Sequence, residues 1–370
     1  MAGAAAAPEG GGVIITLDSI EAVDRLVDEQ FAREEEDYHV YLHDQLGSLL
    51  ASKSPLTCRL IREIERDSGE HGLTDVTILK RKLNNVEKIN AALREFHGGL
   101  VPGGVLLGKA EPLDLRKARI FAGKNELRRF FFRYYDFLFK RVFPVLPRIG
   151  PVYRKFVRMH NRALSKCDVI GRLFYCGFHV RDVFVGDAYL YFHAVKDRAP
   201  LNVHVSHAFI FRQPRIGRGG RVFGFYKFRT MYAYAPFVQE FITERNKLDP
   251  SGKVRDDFRI NTWGRLMRKY WIDELPMIWN WLRGDLKLVG VRPLSRAYFH
   301  LYPEDLRHLR IRCKPGLIPP YYADLPNGFD EIVASERRYL ERYFARPWRT
   351  DLTYLGKVVF NIVARGARSN

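Results

Sequence analysis

The sequence lacks several features that would fix its class at once. It contains no run of about 18 apolar residues, the length that a bilayer-spanning helix needs. Its cysteines are few and form no CxxC or Cys/His cluster, so neither a disulfide framework nor a structural zinc site is expected. Residues 1–12 are rich in alanine and glycine and lack the basic and apolar parts of a signal peptide, which predicts a disordered stretch and a cytosolic start. The scattered cysteines are Cys58, Cys167, Cys176 and Cys313.

Composition and charge describe a folded protein that binds anions. The 370 residues are 46% hydrophobic and 28% charged, which suits one large or two ordinary globular domains and excludes a disordered or collagen-like chain. The net charge of +19 is unevenly spread. Residues 1–110 carry 12 basic and 18 acidic side chains, whereas residues 111–370 carry 49 and 24. The second part therefore favours nucleic acid, nucleotide substrates or an anionic membrane, and composition does not choose among them.

The pattern along the chain predicts an α+β protein with a separate N-terminal part. Helix-like apolar spacing and acidic runs predict a mainly helical extension over residues 13–125, broken by a short strand at 105–107. An aromatic and basic segment follows at 126–165. We expect a catalytic domain over residues 166–370, in which short strands and a glycine-turned hairpin precede a helical half.

The aromatic segment allows three interpretations. Residues 129–147 contain three consecutive phenylalanines and several further rings, interleaved with arginine and lysine. The pattern is typical of a buried core helix whose basic side chains face water. It also fits a helix that lies in the plane of a membrane, with its cations at anionic headgroups. Stacking on single-stranded nucleic acid is the third interpretation.

A pair of adjacent carboxylates, Asp273 and Glu274, is the strongest candidate for chemistry. The pair precedes Pro276, so a helix start capped by an acidic side chain is the structural alternative. Several arginines and lysines surround it in sequence, which is more positive charge than a cap needs. A carboxylate beside arginines stays ionised and is a usable nucleophile, while a neighbouring carboxylate binds Mg²⁺ or acts as a base. The inferred reaction class is phosphoryl transfer.

These residues belong to a longer series of motifs that is similar to a known family. The series resembles the bacterial sugar transferases, the monotopic polyprenyl-phosphate phosphoglycosyl transferases, in order and spacing over about residues 205–318. The motifs are Lys227-Phe-Arg-Thr-Met231, the stretch from Asp257-Phe-Arg259 to Arg268, Asp273-Glu-Leu-Pro276, Gly284-Asp285, Val289-Gly-Val-Arg-Pro293 and Lys314-Pro-Gly316.

The resemblance implies a helix-rich, membrane-associated enzyme at the cytoplasmic face of the inner membrane. Such an enzyme moves a sugar-1-phosphate from a UDP-sugar to a polyprenyl phosphate, normally undecaprenyl phosphate, and releases UMP. It implies that Asp273 is the covalent nucleophile and that Glu274 is associated with Mg²⁺ and with activating the acceptor. We predict Asp273, Glu274 and Asp285 as the metal ligands. No nucleic-acid partner is expected. The resemblance implies that Arg268 and Arg292 contact phosphate and that Lys227 is a basic residue of the same site. We also predict phosphate binding by Arg229, Arg259 and Arg265.

The sequence departs from the family pattern on the acceptor side. Residues 165–200 carry many charges where the family has an apolar re-entrant helix, and Leu317 and Ile318 replace the Thr-Gly that usually follows Lys-Pro-Gly. We therefore predict that residues 129–147, with the basic face at 154–162, contact the membrane. Flotation with anionic vesicles tests this, and unchanged binding after serine replaces Phe130, Phe131 and Phe132 would contradict it.

Three tryptophans and a tyrosine-rich stretch lie near the candidate site in sequence. Trp271, Trp279 and Trp281 are expected mainly in the core, with uracil stacking or a membrane position as alternatives. Tyr321, Tyr322 and Asp324 are expected either to shape the sugar or acceptor pocket or to pack a loop. The alternative functions are the same chemistry on another lipid or a soluble acceptor, and a non-catalytic protein that binds anionic membrane or nucleic acid.

Overall fold

The computed structural model describes residues 13–32, 34–61, 72–121, 131, 163–245 and 257–364. The chain divides into two compact units. The first contains Met1–Val205 and Ala233–Glu244, and the second contains Ser206–Tyr232 and Arg245–Asn370. The predicted catalytic domain at 166–370 thus has parts in both units, and most of the segment 126–165 lies outside the described residues.

The first unit contains a six-stranded mixed sheet with the strand order β1-β2-β3-β4-β6-β5. Strands β2, β3 and β4 are parallel to one another, whereas β1 is antiparallel to β2, and β6 is antiparallel to both β4 and β5. The strands are β1 (Val13–Leu17), β2 (Leu56–Ile61), β3 (Thr74–Leu79), β4 (Leu100–Ala110), β5 (Phe178–Val185) and β6 (Leu190–Lys196).

Helices of the first unit begin at recognisable caps and pack on this sheet. Ser19 accepts a hydrogen bond from the Ala22 amide, and Ser165 forms a capping box with Asp168. Apolar side chains of the first two helices share one buried cluster with β1 to β4 and β6. The helices are α1 (Ile20–Phe31), α2 (Glu36–Ser52), α3 (Ile89–Gly98), α4 (Leu113–Phe121), α5 (Lys166–Tyr175) and α6 (Gln239–Arg245), with 3-10 turns at Leu83–Asn85 and Ala235–Val238.

The N-terminal extension contains the expected helices, but its sheet was not predicted. Four strands lie within residues 13–110, and only the one containing 105–107 was expected. The strands β2 and β3 are largely buried on both faces, yet Thr57 and Arg59 in β2 and Asp75 and Thr77 in β3 leave only short, mixed runs of apolar residues. Such short runs cannot be told from buried helix by pattern alone.

His193 on β6 predicts how the stability of the first unit depends on pH. Burial, followed by the charge of Arg181, lowers the pKa of His193 to about 4, although Asp182 opposes this. The neutral ring donates from Nδ1 to the side-chain oxygen of Gln45 at 2.5 Å. Because the pKa is lower in the folded than in the unfolded state, folding excludes a proton. The contribution of His193 to the free energy of unfolding is therefore fully present above about pH 6.5. It falls by up to about 3 kcal/mol as the pH drops to 4.

Urea unfolding at several pH values, followed by circular dichroism, measures this loss. The His193→Gln variant should show a smaller fall in unfolding free energy between pH 6.5 and 4. Parallel curves for the wild type and the variant would show that His193 does not titrate on unfolding.

The second unit begins with a hairpin and continues as helices. Strands β7 (Ile210–Ile216) and β8 (Val222–Phe228) are antiparallel and joined by a turn at Arg218–Gly220, as the sequence predicts. Two short strands, β9 (Lys287–Val289) and β10 (Gly316–Ile318), form a parallel pair. The helices are α7 (Thr262–Lys269), α8 (Met277–Leu282), α9 (Arg296–His300), α10 (Glu304–Ile311), α11 (Tyr321–Asp324), α12 (Phe329–Ala345) and α13 (Pro347–Ala364), with a 3-10 turn at Ile272–Glu274.

The core of the second unit joins its last helices to β9. Tyr339 of α12 and Tyr354 of α13 are buried against Val289, and the Tyr339 hydroxyl donates to the Val289 carbonyl at 3.1 Å. The mixture of strands and helices in both units confirms the α+β class. Among the described residues, no helix has both the length and the apolar character to cross a bilayer.

Candidate active site

Asp273 and Glu274 occupy the 3-10 turn that separates α7 from α8. The predicted helix start is present, since α8 begins at Met277 with Pro276 at its N-cap position. Neither carboxylate is at the N-cap position of this helix, because that position is Pro276 and the acidic pair lies in the preceding 3-10 turn. The structural alternative, in which the acidic pair exists to cap a helix, is therefore not supported.

The structure brings Lys227 of β8 onto both carboxylates, as the sequence predicts for the site. The Lys227 ammonium donates to Glu274 Oε1 at 2.6 Å and lies 3.8 Å from Asp273 Oδ2. All three side chains are largely buried, with 11% of Asp273 and 22% of Glu274 exposed. A buried cation between two carboxylates holds them in fixed positions while leaving one oxygen of each unpaired with lysine.

Burial changes the acidity of Asp273. Its pKa is raised above the ordinary value, chiefly because burial penalises the charged form and partly because Glu274 adds like charge. Lys227 and Arg268 lower the pKa and offset part of this effect. The sequence indicated the cations but not the burial. The result is a carboxylate that is less stabilised by water than a surface aspartate and correspondingly more basic.

Arg268 lies beside the carboxylates at the end of α7. Its Nε donates to the hydroxyl of Thr230 at 3.0 Å. Gly264 permits this close packing, since a Cβ at that position would lie 2.1 Å from the Thr230 carbonyl oxygen. The glycine in the motif thus lets α7 approach the chain that follows β8 and places Arg268 near Asp273.

Arg292 approaches the same carboxylates from the loop after β9. The pKa of Arg292 is raised, mainly by the interaction with Tyr321 and further by Glu274 and Tyr322. The Arg292 side chain is also accessible to solvent. The structure therefore brings Lys227, Arg268 and Arg292 together around the acidic pair, so that a phosphate beside Asp273 would meet three cations.

Three other predicted phosphate-binding residues have different surroundings. Arg259 forms a bidentate ion pair with Asp257, with Nε–Oδ1 and Nη2–Oδ2 distances of 2.8 and 2.6 Å. Arg229 donates to the Ala208 carbonyl oxygen at 2.9 Å. Arg265 is exposed on α7. A carboxylate therefore already pairs with Arg259, whereas the side chain of Arg265 is exposed to solvent.

Asp285, the predicted third metal ligand, supports the fold instead of joining the acidic pair. Its Oδ2 accepts a hydrogen bond from Asn280 at 3.1 Å. The part of the chain that the structure describes contains no group of three or more histidine, cysteine or acidic side chains that is suited to a metal. The trio of Asp273, Glu274 and Asp285 is thus not assembled.

Asn280 is a positioning residue that the sequence did not reveal. It is fully buried on α8, accepts from the Tyr226 amide at 3.0 Å and donates to the Gly224 carbonyl at 2.7 Å. These bonds tie α8 to β8, the strand that carries Lys227. A lone asparagine within the apolar stretch Met277–Leu282 was the available signal, because buried amides need specific partners.

Trp271 precedes the acidic turn in an unusual backbone conformation. Its φ of 54° lies in the left-handed region, which is uncommon for a bulky residue. The indole Nε1 donates to the Tyr322 hydroxyl at 3.0 Å, and the two rings meet edge to face. Tyr322 thus contacts a neighbour of the nucleophile candidate, whereas Asp324 packs its loop by accepting from Ser335 at 2.7 Å.

The prediction that the other two tryptophans lie in the core is wrong. Trp279 is 57% exposed and Trp281 is 43% exposed on α8. The buried positions of this short helix are taken by Met277 and Asn280, so its remaining large side chains face outward.

A buried ion pair supports the Arg292 loop from behind. Arg310 of α10 contacts Glu336 of α12 directly, and both side chains are at least 96% buried. Arg310 also donates to the Arg292 carbonyl oxygen at 2.5 Å. The backbone of Arg292 is therefore attached to two helices through one guanidinium.

Comparison with known proteins decides the family. Residues 199–365 match the model for "Bacterial sugar transferase". Residues 199–365 belong to the bacterial sugar transferase family. The matched residues include the whole cluster of Lys227, Asp273 and Glu274 with Arg268 and Arg292.

Individual sugar transferases are similar to part of the chain. The galactosyl transferase CpsE of Streptococcus agalactiae is 37% identical over 36% of this chain and 30% of its own length. The uncharacterized sugar transferase EpsL of Bacillus subtilis is 34% identical over 40% of this chain and 66% of its own. The undecaprenyl-phosphate galactose phosphotransferase of Salmonella typhimurium is 29% identical over 48% of this chain and 36% of its own length. The chain thus spans about a third of the length of the first and third of these sugar transferases.

Proposed function

We propose that the chain transfers a sugar-1-phosphate from a UDP-sugar to a polyprenyl phosphate and releases UMP. The observation that carries the proposal is the buried cluster in which Lys227 contacts Asp273 and Glu274 while Arg268 and Arg292 lie beside them. The relatives named as galactosyl transferase and undecaprenyl-phosphate galactose phosphotransferase support a sugar as the transferred group and undecaprenyl phosphate as the acceptor. Because the acceptor is a lipid, we propose that the reaction takes place at a membrane. We propose the cytoplasmic face, where nucleotide sugars are available.

The proposed mechanism has two displacements at one phosphorus. An Asp273 oxygen attacks the sugar-proximal phosphate, forming an Asp–O–P bond and breaking the P–O bond to the α-phosphate, so that UMP leaves. An oxygen of the acceptor phosphate then attacks the same phosphorus and breaks the bond to Asp273. The product is a polyprenyl diphosphate sugar, and the carboxylate is regenerated.

The remaining side chains stabilise charge and fix geometry. Lys227 holds both carboxylates, and Arg268 and Arg292 neutralise the charge that develops on the phosphate oxygens. Asp273 and Glu274 would hold a Mg²⁺ ion, since one or two protein carboxylates are usual for this metal. When bound, the ion neutralises charge on the diphosphate.

UMP release from a panel of UDP-sugars tests the proposal. With Mg²⁺ and undecaprenyl phosphate present, release should require both donor and lipid, and chelation by EDTA should stop it. The sugar that supports release identifies the donor. If the protein is folded but releases no UMP from any UDP-sugar in the panel, the alternatives are favoured. These are a different or soluble acceptor and a non-catalytic binding protein.

A further inference from the structure

A pocket of about 360 Å³ lies in the second unit between the β7–β8 hairpin and the helices α9 and α10. Its lining residues come from the end of β7, from the hairpin turn and from the two helices. Neither the acidic pair nor Lys227 or Arg268 is among them. The volume is near the lower end of the range in which proteins bind small molecules. The pocket is therefore large enough for a small ligand and does not include the candidate nucleophile.

Two arginines give this pocket its positive charge. Arg296 of α9 and Arg307 of α10 both line it. Among the residues that the structure describes, neither of them pairs with a carboxylate, and the Nε of Arg307 is buried without a hydrogen-bond partner. The nearby Arg310, in contrast, pairs with Glu336. Two guanidinium groups that line one pocket without a counter-charge suit the oxygens of a phosphate group.

Histidine side chains supply further hydrogen-bond donors to the same pocket. Nη1 of Arg307 donates to Nδ1 of His300 at 3.2 Å. Because Nδ1 accepts this bond, the proton of the neutral ring is on Nε2, which can donate to a ligand. Glu304 is the acidic residue of the lining, and its Oε1 lies 3.9 Å from Nε2 of His308. The carboxylate is thus next to a histidine and leaves both arginines available.

The rest of the pocket wall is apolar and aromatic. It is formed by Ile216, Phe299 and Ile311, and Phe299 also packs against the core of the second unit. Such a wall favours a flat ring, because contact with aromatic and aliphatic side chains removes apolar surface from water. The pocket therefore combines cations for a phosphate with a wall for a ring. Its size suits a mononucleotide better than a sugar nucleotide or a lipid.

We propose that this pocket is a second nucleotide site, which binds a nucleoside monophosphate. The phosphate lies between Arg296 and Arg307, and the base lies against Phe299. We call it the α9–α10 pocket. Its existence does not depend on the proposed function, since it follows from the lining residues alone.

The α9–α10 pocket adjoins the loop that carries Arg292. A smaller cavity lined by Arg292 and Leu294 shares Ile216 and Phe299 with it. The Leu294 carbonyl oxygen also accepts a hydrogen bond from the Ile216 amide at 3.0 Å. A nucleotide in the pocket therefore contacts residues that support this loop. If the proposed function is correct, its binding should change the KM for the UDP-sugar through Arg292.

Equilibrium dialysis of the full chain with radiolabelled UMP, without donor or acceptor, tests the site. Arg296→Gln should weaken UMP binding to the α9–α10 pocket at least about tenfold, since it removes a charged hydrogen-bond donor to phosphate. Arg268→Gln, beside the acidic pair, should leave binding to this pocket unchanged. UMP binding by Arg296→Gln that equals the wild type would overturn the proposal. A single site weakened by both substitutions would also overturn it, because the pocket would then be part of the active site.

Matched variants distinguish a built site from general charge. Arg312→Gln removes the same charge at the end of α10, from a side chain that lies over the Phe344 ring and does not line the pocket. It should bind UMP like the wild type, and equal weakening by Arg312→Gln and Arg296→Gln would contradict a specific site. Arg296 is exposed, so its replacement should not disturb folding. Arg307→Lys keeps the charge but loses the forked donors and should weaken binding several-fold.

A comparison of ligands tests the chemical class. In the Arg268→Gln variant, UMP should bind at least about tenfold more tightly than ribose 5-phosphate or inorganic phosphate, because only UMP has a base to place against Phe299. Equal affinities would show a phosphate site and overturn its assignment to nucleotides. Vesicles containing phosphatidylglycerol offer phosphate from a lipid. If Arg296→Gln lowers vesicle binding but leaves UMP binding unchanged, the ligand is a headgroup and the proposal is wrong.

Kinetics test the link to the proposed function separately. Arg296→Gln should have the kcat and KM of the wild type in the absence of added UMP. The dependence of the KM for the UDP-sugar on added UMP should be weaker in this variant than in the wild type. The same dependence in both would overturn the coupling to Arg292. If no UDP-sugar is consumed at all, the proposed function fails while the dialysis experiment still decides whether the pocket binds UMP.

Discussion

Asparagine in place of Asp273 should reduce UMP release by at least about 10⁴-fold, because an amide oxygen is a poor nucleophile toward phosphorus. The substitution is nearly isosteric and leaves Lys227 paired with Glu274, whose 2.6 Å hydrogen bond does not involve Asp273. The folded structure should therefore survive. The loss should appear in kcat, since the covalent step itself is removed.

A donor labelled in its sugar-proximal phosphate follows that step directly. The wild type should acquire label without acceptor and lose it when acceptor is added, whereas Asp273→Asn should acquire none. Asp305→Asn is the matched control, because Asp305 is an exposed residue of α10 that pairs with Arg337. Labelled protein in the Asp273→Asn variant would mean that another residue is the nucleophile.

Glutamine in place of Glu336 should lower the free energy of unfolding of the second unit by about 3–5 kcal/mol, since it leaves the Arg310 charge buried without a counter-charge. For a unit of this size the midpoint of thermal unfolding should fall by about 10 °C. Arg310 and Glu336 are each at least 96% buried and contact each other, so water cannot replace the lost partner.

A double-mutant cycle separates the ion pair from the support it gives to Arg292. Arg310→Met with Glu336→Leu removes both charges and should recover much of the stability, because an apolar pair of similar volume avoids the cost of burying ions. The Arg292 carbonyl still loses its hydrogen bond from Arg310. The double variant should therefore be stable but have a raised KM for the UDP-sugar. A double variant as unstable as Glu336→Gln would contradict the account of the pair.

The sequence predicted the hairpin and the central cluster because their signals are local. Strand alternation and a glycine turn define β7 and β8, and the motif containing Lys227 falls on the second of these strands. Asp273 and Glu274 stand out as adjacent acids in a basic segment. The contact of Lys227 with both carboxylates depends on the tertiary structure. The resemblance to the sugar transferases nevertheless already placed the three residues in one site.

Other parts depend on contacts between distant residues and could not be predicted. The strands β2 and β3 form a sheet only by pairing with other segments of the chain, so their short sequences were assigned to helix. The pairing of Arg310 with Glu336 joins residues 26 positions apart in two helices. The exposure of Trp279 and Trp281 contradicts the usual burial of large apolar residues, and composition alone gives no sign of it.

The left-handed backbone at Trp271 restricts how this turn can diverge in evolution. A bulky residue with positive φ costs of order 1 kcal/mol or more, and here the hydrogen bond and ring contact with Tyr322 offset that cost. Glycine or asparagine would adopt the same φ without such an anchor. Lineages that lose the tyrosine should therefore replace the tryptophan with one of these residues, so the two positions are expected to change together.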